Sequence, residues 1–438
     1  MKEKIAIIGS GMAGLAAGWF CHQTGREVTI LEAHHRRGMD AHTILFGESG
    51  QSGHVDIPLR VMNTHSWPSV LELCRRVGVE TFPVHTPVAC SWMDGATWFR
   101  TESFRIGKRT VPWTGSRFLL TAAPYRILWG FYRLSREVGE LESSDLTLGD
   151  FVQLKRPDPL FWKGLILPLL TTICTCSQDS LNRWPAGQVL KLLNRIVFGT
   201  ELLRMSGGTR ALAGKLGESL KWYSGNHVKR LDIRSQGIFL HSEKAALGPF
   251  SRVICAVQAN QLGFLPPNFS RERNLLSSFS YDTGTLWTHR DHRFMPQRRN
   301  DWRPLHYQMS DGFDPSMFTV WVNPIEPTLA GSEPVFQTWN PLFEPEPQTV
   351  LSAVPLQRAV VSRQNSALLT ELARIHKEPD RRVFFCGSYA APGVPLLESA
   401  VCSSLRLVRY LGLQTPKNSA DKIFDSNSEL EKFPDLAA

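Results

Sequence analysis

At 438 residues, 42% of them hydrophobic and 20% charged, the chain has the make-up of a globular protein of two or three domains, which sets aside disordered and fibrous classes. No apolar run approaches the length of a membrane span, and Met1-Lys2-Glu3-Lys4 leads straight into a strand without a secretory signal, so a cytoplasmic protein is expected. The formal net charge of +9 comes with no nucleic-acid module, and suits a cationic rim for an anionic substrate or for peripheral contact with an anionic membrane.

Ile5-Ala6-Ile7-Ile8 is a short continuous apolar run of the kind that fills a strand buried on both faces. Gly9-Ser10-Gly11-Met12-Ala13-Gly14 follows, then a helix from Leu15, then a second strand, Val28-Thr29-Ile30-Leu31, ending on Glu32. Each part has a physical task. Gly9 permits the turn, Gly11 lets a pyrophosphate approach the backbone, and Gly14 lets the helix pack closely on the sheet. Free N–H groups at the helix start attract phosphate, and Glu32 is placed to accept from a ribose hydroxyl. A dinucleotide site is the expectation.

Glu32-Ala33-His34-His35-Arg36-Arg37-Gly38-Met39 comes next. Here the sequence resembles the flavin-containing amine oxidase and phytoene desaturase superfamily, closest in look to its uncharacterised NAD/FAD-binding, amine-oxidase-like branch. That superfamily follows the fingerprint with E-A-x-x-R-x-G-G; Glu32, Ala33, Arg36 and Gly38 match it, and Met39 stands in place of the second glycine. The resemblance implies that FAD is the cofactor. It also implies that the segment from Asp56 through Arg60 and Val61 passes beside the flavin, with Pro58 where the superfamily has glycine.

Ser66 or Ser69 is expected to cap a helix running to Gly78. The stretch from 118 to 138 is basic and amphipathic, with Pro124 and Gly130 expected to divide it. A core face with a solvated basic side, or a lipid-docking side, both suit that pattern. Further helical blocks begin at Leu146 and Trp184 and, through the resemblance, form the helical part of a substrate domain. Gly207-Gly208 resembles the superfamily's returning helix start, Val228 its adenine-side strand, and the strand ending at Ala256 the return to the FAD domain.

Between 284 and 341, short aromatic strands around Trp287, Tyr307, Trp321 and Trp339 predict an antiparallel sheet. Eight scattered cysteines and thirteen histidines have no metal-ligand spacing, so no metal is expected. Val383-Phe384-Phe385-Cys386-Gly387-Ser388 and the helix opening at Glu398-Ser399-Ala400 resemble the superfamily's final flavin motif, with Ser388, Ser399 and Ser404 at departures from it. A helix start there would favour an anionic reduced ring.

The expected fold class is α/β, a Rossmann-like FAD domain with an inserted α+β substrate domain. The FAD domain is assigned to 1–65, 201–265 and 375–415, the substrate domain to 66–200 and 266–374, and a flexible tail to 416–438. The functional expectation is an FAD-dependent oxidoreductase acting by hydride transfer on an apolar, lipid-like substrate. An amine oxidase using Trp287, Tyr307, Trp321 and Trp339 as a cage is the alternative, and a non-catalytic FAD protein the third reading. A long apolar cavity is expected between residues 118–200 and 285–339, with Arg60 or the Arg293–Arg299 group at its mouth. No catalytic acid or base is legible.

Overall fold

Five segments spread from residue 4 to residue 385, four of them apolar, meet in one parallel sheet. The computed structural model describes residues 2–47, 53–106, 109–114, 120–137, 145–199 and 201–413. The expected tail at 416–438 lies outside them. In spatial order the sheet comprises Lys221–Tyr223, Glu27–Leu31, Lys4–Ile8, Arg252–Cys255 and Val383–Phe385. Ile7 sits opposite Ile30 on one side and Ile254 on the other.

Side chains alternate across this sheet, and both sets are buried. Ile5, Ile7, Ile30 and Ile254 join the core beneath the Met12–Gln23 and Leu397–Tyr410 helices. Ala6, Ile8, Val253, Cys255 and Phe385 join a second core, capped by a three-stranded antiparallel sheet (Val228–Arg234, Gly237–Ser242, Ala246–Phe250) and the Asn365–His376 helix. The unbroken apolar runs follow from that double burial.

A second sheet has eight strands. The four aromatic strands lie side by side in its middle, in the order Tyr281–His289, Phe336–Trp339, Ser316–Trp321 and Leu305–Met309. Val350–Ala359 adds to one edge, and Val88–Trp92, Thr97–Ile106 and Arg109–Thr114 extend the other. The four aromatic strands pair antiparallel, as the sequence predicted, and the extension joins them through a parallel pairing, Tyr307 against Cys90, which makes the whole sheet mixed.

Two helix expectations are corrected. The Ala123–Glu137 helix runs unbroken, because Pro124 sits in its first turn, where a missing N–H breaks no helical bond. Gly130 faces inward, and a Cβ there would collide with the ring of Phe161. The Pro68–Arg76 helix is capped by neither serine; the Glu398 carboxylate accepts from the N–H groups of Ser69 (3.0 Å) and Val70 (3.1 Å). No helix of the described residues is long and apolar enough to cross a membrane.

Three buried histidines predict how stability responds to pH. His376 Nε2 accepts from the Phe385 N–H at 3.1 Å, and burial lowers its pKa to about 3. Burial also lowers His306 and His289 to about 4. A folded-state pKa below the unfolded value of about 6.5 means that the unfolded chain takes up the proton first. Stability present above about pH 6.5 is therefore lost as pH falls towards 4, at up to ~1.4 kcal/mol per pH unit for each histidine. Urea midpoints across that range should fall, and a His306→Gln chain should show a shallower slope; a flat wild-type profile would contradict the account.

Candidate functional site

The glycine-rich turn is built from close approaches. Gly9 adopts φ +97°, which favours glycine, and its N–H donates to the Leu31 carbonyl at 2.9 Å. At Gly14 a Cβ would collide with the Gly9 carbonyl oxygen, so this glycine seats the Met12–Gln23 helix on the turn. Met12 and Ala13 are buried in its first turn. At Gly11 no atom beyond its own chain neighbours lies within 4 Å of where a Cβ would stand. That open side, beside the helix start, has the chemistry of a phosphate cradle.

Glu32 organises the turn as well as facing it. One carboxylate oxygen accepts from the Ser10 N–H (2.8 Å) and Ser10 hydroxyl (2.5 Å), the other from the His34 N–H (2.9 Å). The Gly38 N–H donates to Ser10 Oγ at 2.6 Å, and the Met39 N–H to the Ser10 carbonyl at 3.3 Å. The loop thus folds back over the turn. A Cβ on Gly38 would come within 2.9 Å of Glu32 Oε2, which accounts for that glycine. Ala33 and Arg36 are exposed on the same loop, with Arg36 donating to the Thr43 carbonyl. Val228 is buried where its strand begins, in the same apolar core as Leu31, and the Ala256 N–H donates to the Ile8 carbonyl at 2.8 Å.

Residues 56–61 are held by partners that sequence reasoning missed. Asp56 accepts from the Thr209 N–H (3.0 Å) and hydroxyl (2.8 Å). Arg204, fully buried, reaches Asp56 at 3.5 Å, Glu326 at 2.5 Å and the Arg60 carbonyl at 3.1 Å. Gln337 donates to the Asp56 carbonyl and accepts from the Leu59 N–H, clamping both sides of Pro58. Nothing in the apolar strand Leu202–Met205 marks Arg204 as the centre of this network, because its partners come from distant segments.

Three serines of the Leu397–Tyr410 helix are engaged. Ser399 Oγ donates to the Val394 carbonyl at 2.7 Å, Ser404 Oγ to the Ala13 carbonyl at 2.8 Å, and Ser403 Oγ accepts from the Gly387 N–H at 3.1 Å. Gly387, with Ser388 next to it in the chain, is thus tied to the second turn of the Leu397–Tyr410 helix, whose first turn holds Ala400 and which meets the glycine-rich turn through Ser404 and Ala13.

Beside residues 58–62 lies a cavity of about 200 Å³. Leu169, Thr172 and Ile173 line it from the helical block, Leu286, Phe318 and Val320 from the eight-stranded sheet, and Leu396 and Leu397 from the C-terminal helix start. Arg60 is the one charged side chain in this wall, and no carboxylate lines it among the described residues. Burial and the nearby Arg358 lower the Arg60 pKa to about 10, so it remains a cation at neutral pH. Arg358 is anchored on Thr175 Oγ1 (2.8 Å) and the Pro395 carbonyl (2.6 Å).

Of the expected arginines Arg60 is the one at the cavity, and the aromatic cage of the alternative reading does not form. Arg293 and Arg299 line a separate surface hollow with Trp302, away from the cavity, because their loop packs on the opposite face of the sheet. The four aromatics form no cage. Trp287 and Trp321 alternate away from the cavity-facing Leu286 and Val320, Tyr307 packs on Phe318, and Trp339 is tied to the Cys176 carbonyl.

Comparison with known proteins adds the following. Residues 7–77 match the family described as an NAD(P)-binding Rossmann-like domain. A Mycobacterium tuberculosis protein named as a flavin-containing monoamine oxidase, AofH, is 23% identical over 295 residues, covering 61% of each chain. The chain thus spans about six-tenths of the length of that relative. Among solved structures, a CLA-producing fatty acid isomerase from P. acnes superposes with a TM-score of 0.63 at 15% identity, over 93% of this chain and 98% of that one. A putrescine oxidase superposes with a TM-score of 0.62 at 11% identity, over 94% and 100%. These likenesses show the fold, a Rossmann-like α/β unit combined with a mixed sheet and helices as in the amine-oxidase-like flavoproteins, and agree with the resemblance read from the sequence.

Proposed function

We propose that this chain, sharing the fold of the amine-oxidase-like flavoproteins, is an FAD-dependent oxidoreductase whose substrate has a long apolar part and an anionic head. The observation that carries the second half is the cavity, an apolar wall with Arg60 in it, Arg358 close by and no carboxylate lining it among the described residues, the nearby Asp56 being engaged by Arg204 and Thr209. A cationic amine is poorly served by such a wall. The fold alone does not choose, since its relatives include both a fatty acid isomerase and a putrescine oxidase.

The residues present fit the cofactor. The open side of Gly11 and the start of the first helix would take the pyrophosphate, with Gly9, Ser10, Met12, Ala13 and Gly14 shaping that cradle. Glu32 would hold the ribose, with Ala33, Arg36, Gly38 and Met39 on the covering loop and Val228 and Ala256 alongside. Residues Arg60 and Val61, with Gly387, Ser388, Ser399 and Ala400, would border the ring. The segments 1–65, 201–265 and 375–415 would then form the FAD domain, and 66–200 with 266–374 the substrate domain. Bound FAD supplies the capacity to accept a hydride from carbon. The chain's own part is to bury the apolar substrate, at roughly 0.8 kcal/mol per methylene, and to exclude water. Arg60 would orient the head group; its backbone is already pinned by Arg204.

The test is anaerobic titration of the yellow protein with a long-chain carboxylate and, separately, a primary amine. Bleaching by the carboxylate supports the proposal, bleaching by the amine alone overturns it, and bleaching by neither favours a non-catalytic role. An Arg60→Leu chain should bind the carboxylate roughly 10- to 150-fold more weakly, the equivalent of a charged hydrogen bond worth ~1.5–3 kcal/mol. Unchanged affinity would remove Arg60 from the role.

A further inference from the structure

The Ala123–Glu137 helix presents an apolar face to solvent. Its inward residues, Pro124, Ile127, Gly130 and Leu134, are buried in the usual helical spacing. The opposite stripe should be polar, yet it carries Tyr125, Leu128 (66% exposed), Trp129 (59% exposed) and Tyr132. Trp129 and Tyr132 lean together with ring centroids 5.4 Å apart, and Arg136 lies over the Tyr132 ring at 5.9 Å. Exposed Leu154, on the neighbouring Leu148–Lys155 helix, and Phe198 add to the apolar surface. Single exposed apolar residues are ordinary, but a run of this kind marks an interaction site.

We propose that this face lies on an anionic lipid bilayer. Three observations choose a bilayer over a protein partner. The composition is that of a membrane interface, with tryptophan and tyrosine, whose rings carry a polar edge, around a protruding leucine. The charge is complementary on the helix itself, which carries Arg126, Arg133 and Arg136 against Glu137; Arg126 pairs with Asp158 and Arg133 with Glu137, while Arg136 lies over the outward Tyr132 ring. The patch also reaches the cavity. Phe131 packs edge-on against Phe161 and Phe198, and Phe198 ends the helix whose Ile196 lines the cavity wall. A bilayer-bound molecule would thus meet an apolar surface continuous with the cavity. The docking stands on this surface alone, whatever substrate the cavity takes.

The experiment is sedimentation of the full chain with vesicles of phosphatidylcholine, and with vesicles in which roughly one third is replaced by phosphatidylglycerol. The protein should pellet with the anionic vesicles and be released by salt. Leu128→Ser with Trp129→Ser should weaken binding roughly tenfold or more, with flavin absorbance and thermal midpoint unchanged because both side chains are exposed. Retention in solution with both vesicle types would overturn the proposal, as would undiminished binding of the double variant. So would a wild-type dimer in solution that the same substitutions dissociate, since the face would then belong to a second copy. Flavin content, read in the same samples, separates failure of the docking from failure of the cofactor assignment.

Discussion

A Gly11→Val chain is expected to fold normally and to emerge from purification colourless. Gly11 has φ −64° and ψ −179°, an extended conformation open to any residue, and its outward side is empty to 4 Å. The substitution therefore costs the protein alone little. The same space is where a pyrophosphate must approach the backbone, so valine should remove flavin binding altogether. Gly14→Ala makes the opposite case. Its Cβ meets the Gly9 carbonyl oxygen, a backbone atom that cannot swing aside, so the helix must lift off the turn and the fold itself should fail. Visible absorbance and thermal midpoint, measured on both variants, distinguish the two outcomes. A yellow Gly11→Val protein would show that the phosphates bind elsewhere.

Replacing Arg204 with methionine should give the largest loss of stability away from the turn. The guanidinium is fully buried and holds Asp56 at 3.5 Å and Glu326 at 2.5 Å, themselves almost wholly buried. Removing one member of such a cluster leaves uncompensated buried charge and typically costs ~3–5 kcal/mol. The apolar stem of methionine fills part of the space, so the loss is electrostatic more than steric. Asp56→Asn and Glu326→Gln added to Arg204→Met should restore part of it, because the orphaned charges are then gone. Urea unfolding of the single and triple variants measures both effects. A single variant losing less than about 1 kcal/mol would show that water or movement already compensates the cluster. Since Arg204 also accounts for the hydrogen bond to the Arg60 carbonyl, flavin affinity should fall with stability.

The aromatic strands show how partial a sequence reading can be. Their existence was legible from β-branched and aromatic runs, and all four lie adjacent in the sheet. Which face each ring takes was not legible. Alternation places neighbours on opposite sides, and only the registration of one strand on the next decides which side is the cavity. Leu286 therefore lines the cavity while Trp287, the more conspicuous residue, does not. Gly130 misled in the same way. A glycine within a helical pattern reads as a break, whereas here it admits the ring of Phe161, thirty-one positions along the chain.

By itself the sequence determined the glycine-rich turn, since strand, glycines, helix and acid form one local βαβ unit whose own bonds, Ser10 to Glu32 and Gly38 to Ser10, close within about thirty residues. It determined four strands of the parallel sheet, because burial on both faces leaves an unbroken hydrophobic run, but not the exposed edge strand Lys221–Tyr223. Only the tertiary structure decided the surroundings of the cavity. Arg204 meets Asp56 across 148 positions and Glu326 across 122, and Gln337 reaches the Asp56 carbonyl across 281. Glu398 caps a helix that begins more than three hundred residues earlier. Such partners leave no periodicity or spacing in the chain, because the free energy that joins them arises only once folding has brought distant segments into one buried, low-dielectric place.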